Sequence, residues 1–336
     1  ILNMDKIGGI IKLSQNENPF GSSPKALEAV LKHASTIYRY PEPHSHSLEE
    51  KIATRLNLDT ENVFVSAGLV EALDILIRNF VGNGNNMITG EITFVAYRLL
   101  AKVFNVEIRF SRLKDYRMDI DDFLNLYDKN TKLIIIANPN NPTGTTINEI
   151  ELIQLLDHVS SDTLVVIDEA YQEYVSQRDF PNSLDLQKRY QNLIVMRTFS
   201  KIYGLAGLRV GYTIANKSIV EKMEYYQAPF TVNRVASIAA SHAIDDVDFV
   251  AQSAEMNKNE RQLLHNELMR RRYNTLPSQG NFQYVYFNTV EERNRFYDKL
   301  CSHNVLGRKM DLFGDNKAIR LSIGTPDDNL RLIGSL

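Results

Sequence analysis

The stretch from Leu133 to Gly144, LIIIANPNNPTG, decides the fold. Its first five residues are an unbroken apolar run, and the next seven are turn formers with polar side chains. An unbroken run suits a strand covered on both faces, as in a parallel sheet flanked by helices. The same pairing recurs downstream. The run LVVI at 164–167 is followed by Asp168-Glu169-Ala170-Tyr171. The run LIVM at 193–196 is followed by Arg197-Thr198-Phe199-Ser200-Lys201 and then by Gly204-Leu205-Ala206-Gly207-Leu208-Arg209.

Working outward, further strands are predicted over 63–66, 86–89, 106–110 and 210–214, with a helix over 70–80. A helix is also predicted over 148–159, capped by Asn148 and burying Ile150, Ile153, Leu156 and Val159 on one face. This alternation predicts an α/β fold with a central, mostly parallel sheet covered by helices. After about residue 243 the pattern changes. A long charged helix over 249–272, a strand over 282–287, a helix over 290–302 and a strand over 318–323 read as a smaller α+β C-terminal domain. The expected organisation is therefore an N-terminal segment, 1–35, packing on the other parts, a large domain, 36–245, and a small domain, 246–336.

Composition narrows the function. A chain of 336 residues sets a prior of about two domains. Hydrophobic residues make up 43% and charged residues 24%, which is ordinary for a folded chain and unlike a disordered one. Lys plus Arg number 38 against 41 Asp plus Glu, for a net charge of −3. That balance offers no basic footprint for nucleic acid and no polybasic membrane surface. The single cysteine, Cys301, excludes an intramolecular disulfide and a Cys-rich metal centre. No apolar run approaches the roughly 18–20 residues that span a bilayer. Residues 1–9 lack a charged-then-apolar secretory pattern, so the expected location is cytoplasmic. His44 and His46 lack an evident third ligand and read as loop residues, so no metal is expected. Val81-Gly82-Asn83-Gly84 lacks the third glycine of a dinucleotide fingerprint, and Arg270-Arg271-Arg272 reads as the solvated end of a helix.

Open α/β sheets place their ligands beyond the carboxyl ends of the strands. The three strand ends supply an amide, a carboxylate with a phenol, and a lysine with hydroxyls and an arginine. Each has a bland alternative. Asn-Pro-Thr-Gly alone is a turn, a lone Asp is a helix cap, and Ser-Lys is a surface pair. The weight comes from their order, each following a buried strand. Together these groups suit a molecule with a phosphate, a cationic ring nitrogen and an aldehyde, and pyridoxal 5'-phosphate is such a molecule.

The set at 141–144, 168–171 and 200–209 resembles the fold-type I pyridoxal-phosphate aminotransferases. The segments LSQNENPFGSSP at 13–24, YRYPEP at 38–43, APFTVN at 228–233, and 305–308 with IRLSIGT at 319–325 resemble the histidinol-phosphate aminotransferases more narrowly. The resemblance implies transamination between L-histidinol phosphate and 2-oxoglutarate, with glutamate as the other amino compound, in two ping-pong half-reactions of histidine biosynthesis. It implies that Lys201 forms the Schiff base with the cofactor and acts as the base, and that Asp168 pairs with the ring nitrogen. Asn141 and Tyr171 would bond the phenolic oxygen, and Phe94 would stack on the ring. Thr198, Ser200, Arg209 and the amides of Leu69 and Val70 would hold the phosphate. Tyr40 from a second copy would complete that pocket, which implies a homodimer with shared active sites. Arg320, with Arg308 beside it, would grip the substrate's anionic group. Asn141, Glu17 and Asn18 are the further substrate-binding candidates.

Two positions depart from the family pattern. Val70 stands where an acidic residue is common, and Ile92 where a proline is common. Three other readings stay open at this point: an aromatic amino acid aminotransferase, a lyase like threonine-phosphate decarboxylase, and a catalytically silent binding module of the same fold.

Overall fold

The computed structural model describes residues 9–336. The expectations for residues 1–8, the start of the N-terminal segment and the missing secretory pattern, lie outside the described residues. The apolar runs become the strands β1 (Val63–Ser66), β2 (Asn86–Gly90), β3 (Glu107–Ser111), β4 (Thr131–Ala137), β5 (Leu164–Asp168), β6 (Leu193–Thr198) and β7 (Gly211–Ile214). They form one seven-stranded sheet in the order β1-β7-β6-β5-β4-β2-β3. From β6 to β3 every neighbouring pair is parallel.

Strand β4 shows why its run is continuous. Leu133 and Ile135 point to one face, among Leu73 and Leu76 of the helix Leu69–Phe80. Ile134 and Ile136 point to the other, among Leu152 and Leu155 of the helix Glu149–His158. Both faces are roofed from Leu133 onward, so the polar residues of the strand, Thr131 and Lys132, are confined to its start.

The sheet is mostly parallel, as expected, with one exception, and one predicted helix face needs correction. Strand β7 is buried like its neighbours, yet it runs antiparallel to both β6 and β1. Burial on two faces fixes composition, not direction. In the helix Glu149–His158, Asn148 does cap, in a reciprocal box with Glu151. Its inward row, however, is Leu152, Leu155 and Leu156, while Ile150 is 78% exposed. Steps of three residues drift around the axis, so Ile150 and Val159 end up about 180° apart at roughly 100° per residue.

A second sheet, wholly antiparallel, has the strands β8 (Asn274–Thr275), β9 (Phe282–Tyr286), β10 (Arg308–Lys309) and β11 (Ala318–Ser322) in the order β8-β9-β11-β10. Leu264, Leu268, Val285, Phe296, Leu321 and Leu332 build its core. Ile11 and Leu13 are buried in that same core. Ile11–Lys12 pairs in parallel with Val305–Leu306, and Leu13 O accepts from Ser322 N at 2.9 Å. Residues 11–13 thus pack with the second sheet, ahead in sequence of every strand of the first. Among the described residues, no helix is long and apolar enough to cross a membrane.

Candidate active site

A cleft of about 320 Å³ opens beyond the carboxyl ends of β4, β5 and β6, within the size range of small-molecule sites. Asp168 is the last residue of β5 and is buried. Its Oδ2 accepts from the Tyr97 hydroxyl at 2.7 Å, and its Oδ1 accepts from Ala170 N at 3.1 Å. Burial pushes the Asp168 carboxyl up from its ordinary value, against the lowering effect of those two donors. The Tyr97 hydroxyl is itself pushed far up by burial and by the neighbouring carboxylate. A cationic hydrogen-bond donor is what this carboxylate lacks.

Lys201 sits in the loop after β6. Its Nζ donates to Gln15 O at 3.2 Å and lies 5.6 Å from the centre of the Tyr171 ring. No carboxylate lies within ion-pair distance of it among the described residues. Tyr171 is buried, and its hydroxyl accepts from Asn16 Nδ2 at 3.0 Å. Asn141, in the loop after β4, accepts a hydrogen bond from Arg320.

The other wall comes from the second sheet and the chain's start. Arg320, on β11, is buried and donates to Ser14 O at 2.9 Å. Its guanidinium carbon lies 5.5 Å from the ring centres of Phe282 and Phe313. Burial lowers its pKa to about 10, and its buried Nε has no hydrogen-bond partner among the described residues. A buried guanidinium without a carboxylate partner is costly unless an anion arrives. Arg308, exposed at the rim, lines the same cleft.

Opposite Lys201 the loop before the helix Leu69–Phe80 forms a turn. Gly68 has φ 79°, and a Cβ there would collide with the Arg209 guanidinium. Arg209, itself left-handed at φ 57°, donates to Ser200 Oγ at 3.3 Å. Ser200 N donates in turn to Thr198 Oγ1 at 3.1 Å. With the first amides of a helix, this is an anion cradle made of hydroxyls, a guanidinium and backbone N–H groups.

The cleft therefore gathers Leu69, Val70, Phe94, Asn141, Asp168, Tyr171, Thr198, Ser200, Lys201, Arg209, Arg308 and Arg320. Three sequence candidates are not in it. Glu17 points to the surface and pairs with Lys12 at 3.3 Å. Asn18 is buried elsewhere, donating to Ile202 O at 2.7 Å. Their neighbours Ser14, Gln15 and Asn16 line the cleft in their place, because Asn16 takes a left-handed turn at φ 56°. Tyr40 is 81% exposed and lies against Phe230, with ring centres 5.2 Å apart. Sequence reasoning missed Tyr97, which sits one helical turn after Phe94 and meets it edge-to-face. It also missed the buried pair Arg197–Glu169, at 2.8 Å, which ties the ends of β5 and β6 together. The loop at Ile92, without its proline, is held by Asn140 Nδ2, which donates to Ile92 O at 2.9 Å.

The chain as a whole is similar to known proteins. The model of the family "Aminotransferase class I and II" matches residues 8–336. A histidinol-phosphate aminotransferase of Geobacillus sp. (strain WCH70) is 37% identical over 327 residues, covering 97% of this chain and 89% of that relative. One from Staphylococcus epidermidis is 38% identical over 326 residues, covering 97% and 90%. The crystal structure of histidinol-phosphate aminotransferase from Sinorhizobium meliloti in complex with pyridoxal-5'-phosphate superposes with a TM-score of 0.90 at 25% identity, covering 97% of this chain and 89% of that one.

Proposed function

The chain belongs to the aminotransferase class I and II family, and from that premise we propose that its cleft moves an amino group between L-histidinol phosphate and 2-oxoglutarate, a step of histidine biosynthesis. It is a pyridoxal-phosphate-dependent aminotransferase. The observation that carries the substrate reading is Arg320, a buried cation with no carboxylate partner among the described residues, in the same cleft as Lys201 and Asp168. One guanidinium suits both the phosphate of histidinol phosphate and a carboxylate of glutamate or 2-oxoglutarate, in alternate half-reactions.

The residues fit the cofactor on three counts. Among the described residues a buried carboxylate lacks a cationic partner and an amine lacks a carboxylate, and a glycine turn leaves no room for a Cβ beside an arginine. When bound, pyridoxal phosphate supplies an aldehyde that carries the amino group and a cationic ring that accepts electrons from the substrate's Cα–H bond. Lys201 would hold the aldehyde through Nζ, and the same amine would move the proton at the substrate's Cα. Asp168 holds the proton on the ring nitrogen, and the fixed donors Tyr97 and Ala170 orient it. Asn141 and Tyr171 orient the ring through its phenolic oxygen, and Phe94 covers one face. Thr198, Ser200, Arg209 and the amides of Leu69 and Val70 bind the phosphate. Arg320 and Arg308 bind and orient the substrate's anionic end. Glu17 and Asn18 have no part in this reading.

In this proposal residues 36–245 hold the cofactor, 246–336 form the small domain, and the N-terminal segment packs on both. The working form is a cytoplasmic homodimer in which Tyr40 reaches the phosphate pocket of a second copy. The exposed strip of Ile37, Tyr38 and Tyr40 supports that reading. The test is the visible spectrum of the protein with bound pyridoxal phosphate. L-Histidinol phosphate without an acceptor should abolish the visible band, and 2-oxoglutarate should restore it. A band that ignores histidinol phosphate but responds to phenylalanine or tyrosine would favour the aromatic aminotransferase.

A further inference from the structure

Strand β1 is an edge of the large sheet: β7 pairs with one side, and among the described residues no strand covers the other. Side chains cover that free edge instead, which is one way to blunt it. Val65 N donates to Glu49 Oε1 at 3.1 Å, and Val65 O accepts from Gln227 Nε2 at 3.0 Å. Two residues on, Ala67 N donates to Glu71 Oε2 at 2.6 Å. That one carboxylate oxygen also accepts from Gln227 Nε2 at 3.2 Å and from Thr231 Oγ1 at 3.3 Å.

Glu71 is the third residue of the helix Leu69–Phe80. An acid at this position ordinarily reaches back to the N–H of the residue that caps the helix. Here Gly68 N already donates to Ser66 O at 2.7 Å, and Glu71 reaches one residue further, to Ala67. The turn is thereby closed by two of its own amides, and Leu69 and Val70, which open the helix, line the cleft. Val70 adds no polar side chain there. Arg209 presses against Gly68 from the cleft side.

We propose that Glu71 is a positioning residue for the cofactor's phosphate: by gathering Ala67 N, Gln227 and Thr231 on one oxygen, it fixes the turn that presents the Leu69 and Val70 amides. The inference rests on the pyridoxal-phosphate reading of this cleft. Glu71 itself touches no ligand, and a residue that merely covered the sheet edge would not distinguish a ligand with a phosphate from one without.

The test compares the equilibrium binding of pyridoxal phosphate and of pyridoxal, which lacks the phosphate, by the visible band and fluorescence of full-length protein. Glu71→Ala should weaken pyridoxal phosphate about 10- to 100-fold, the worth of a charge-assisted hydrogen bond at the cradle, and leave pyridoxal within about twofold. Glu71→Gln, which keeps an acceptor oxygen, should restore most of the difference. Should Glu71→Ala fail to fold, Glu71→Asp carries the test, because withdrawing the carboxylate by one methylene must give the same phosphate-selective loss. Equal losses for the two ligands, or no loss, would overturn the proposal. Wild-type protein that forms no visible band with either ligand would overturn the cofactor reading instead, so the two failures are separable.

Discussion

The two walls of the cleft are built on opposite principles. The wall from β4, β5 and β6 is local. Asp168 ends its strand, Asn141 and Lys201 follow theirs within a few residues, and the parallel register brings the three together. The wall of Arg320, Phe313 and residues 14–16 is remote. Asn16 N donates to Ser322 Oγ at 2.8 Å and Arg320 Nη2 to Ser14 O, each across 306 residues of sequence. The remote wall is docked on the local one by single hydrogen bonds, Asn16 to Tyr171, Arg320 to Asn141 and Lys201 to Gln15 O. The local wall suits a resident cofactor, which needs fixed partners. The remote wall suits a substrate that enters and leaves.

Breaking the local wall should have the largest effect. Lys201→Ala should lose the visible band and lower turnover by at least about 10³-fold, the scale of a lost general base and nucleophile. A variant with full turnover would mean that the amine is not used. Next comes Tyr97→Phe, which removes one of the two fixed donors to Asp168. It should lower kcat about 10-fold, as expected for one buried hydrogen bond, with KM little changed. A rise in KM at constant kcat would place Tyr97 with the remote wall. The remote wall can be loosened without touching the cleft's charges. Asn16→Ala removes the bond to Tyr171 and should raise substrate KM about three- to tenfold, with cofactor affinity unchanged.

The smallest effect lies at the sheet edge. Burial pushes the Glu49 carboxyl up to about 8, with Glu224 and Glu42 adding to the rise and Val65 N opposing it. His46 Nδ1 lies 3.9 Å from it. A carboxyl raised in the fold stabilises fully below its unfolded pKa, and that contribution is lost as pH rises toward 8. Glu49→Gln should therefore leave Tm nearly unchanged at pH 4 and raise it by about 2–4 °C over wild type at pH 8. An equal shift at both pH values would show that Glu49 does not titrate in this way.

What the sequence revealed follows the same division. Asp168, Asn141 and Lys201 were legible because each comes directly after an apolar run, where the end of a buried strand meets solvent. Tyr97 was not, because in the helix Val95–Val103 it reads as one more core aromatic. Its only signal is the three-residue spacing from Phe94. The 13–24 segment stood out, but the choice between Asn16 and its neighbours Glu17 and Asn18 depends on one left-handed residue and on a contact with β11. The antiparallel β7 was hidden because both of its faces are buried, and direction leaves no mark on composition.

The most direct test of this division is Arg320→Met, measured for two quantities on the same protein: pyridoxal phosphate affinity, and the concentration of L-histidinol phosphate that half-abolishes the visible band. The account predicts cofactor affinity within about threefold of wild type and a substrate requirement raised about 100-fold, as for a lost buried charge pair. Cofactor affinity falling as far as substrate affinity, or a substrate requirement left unchanged, would contradict it.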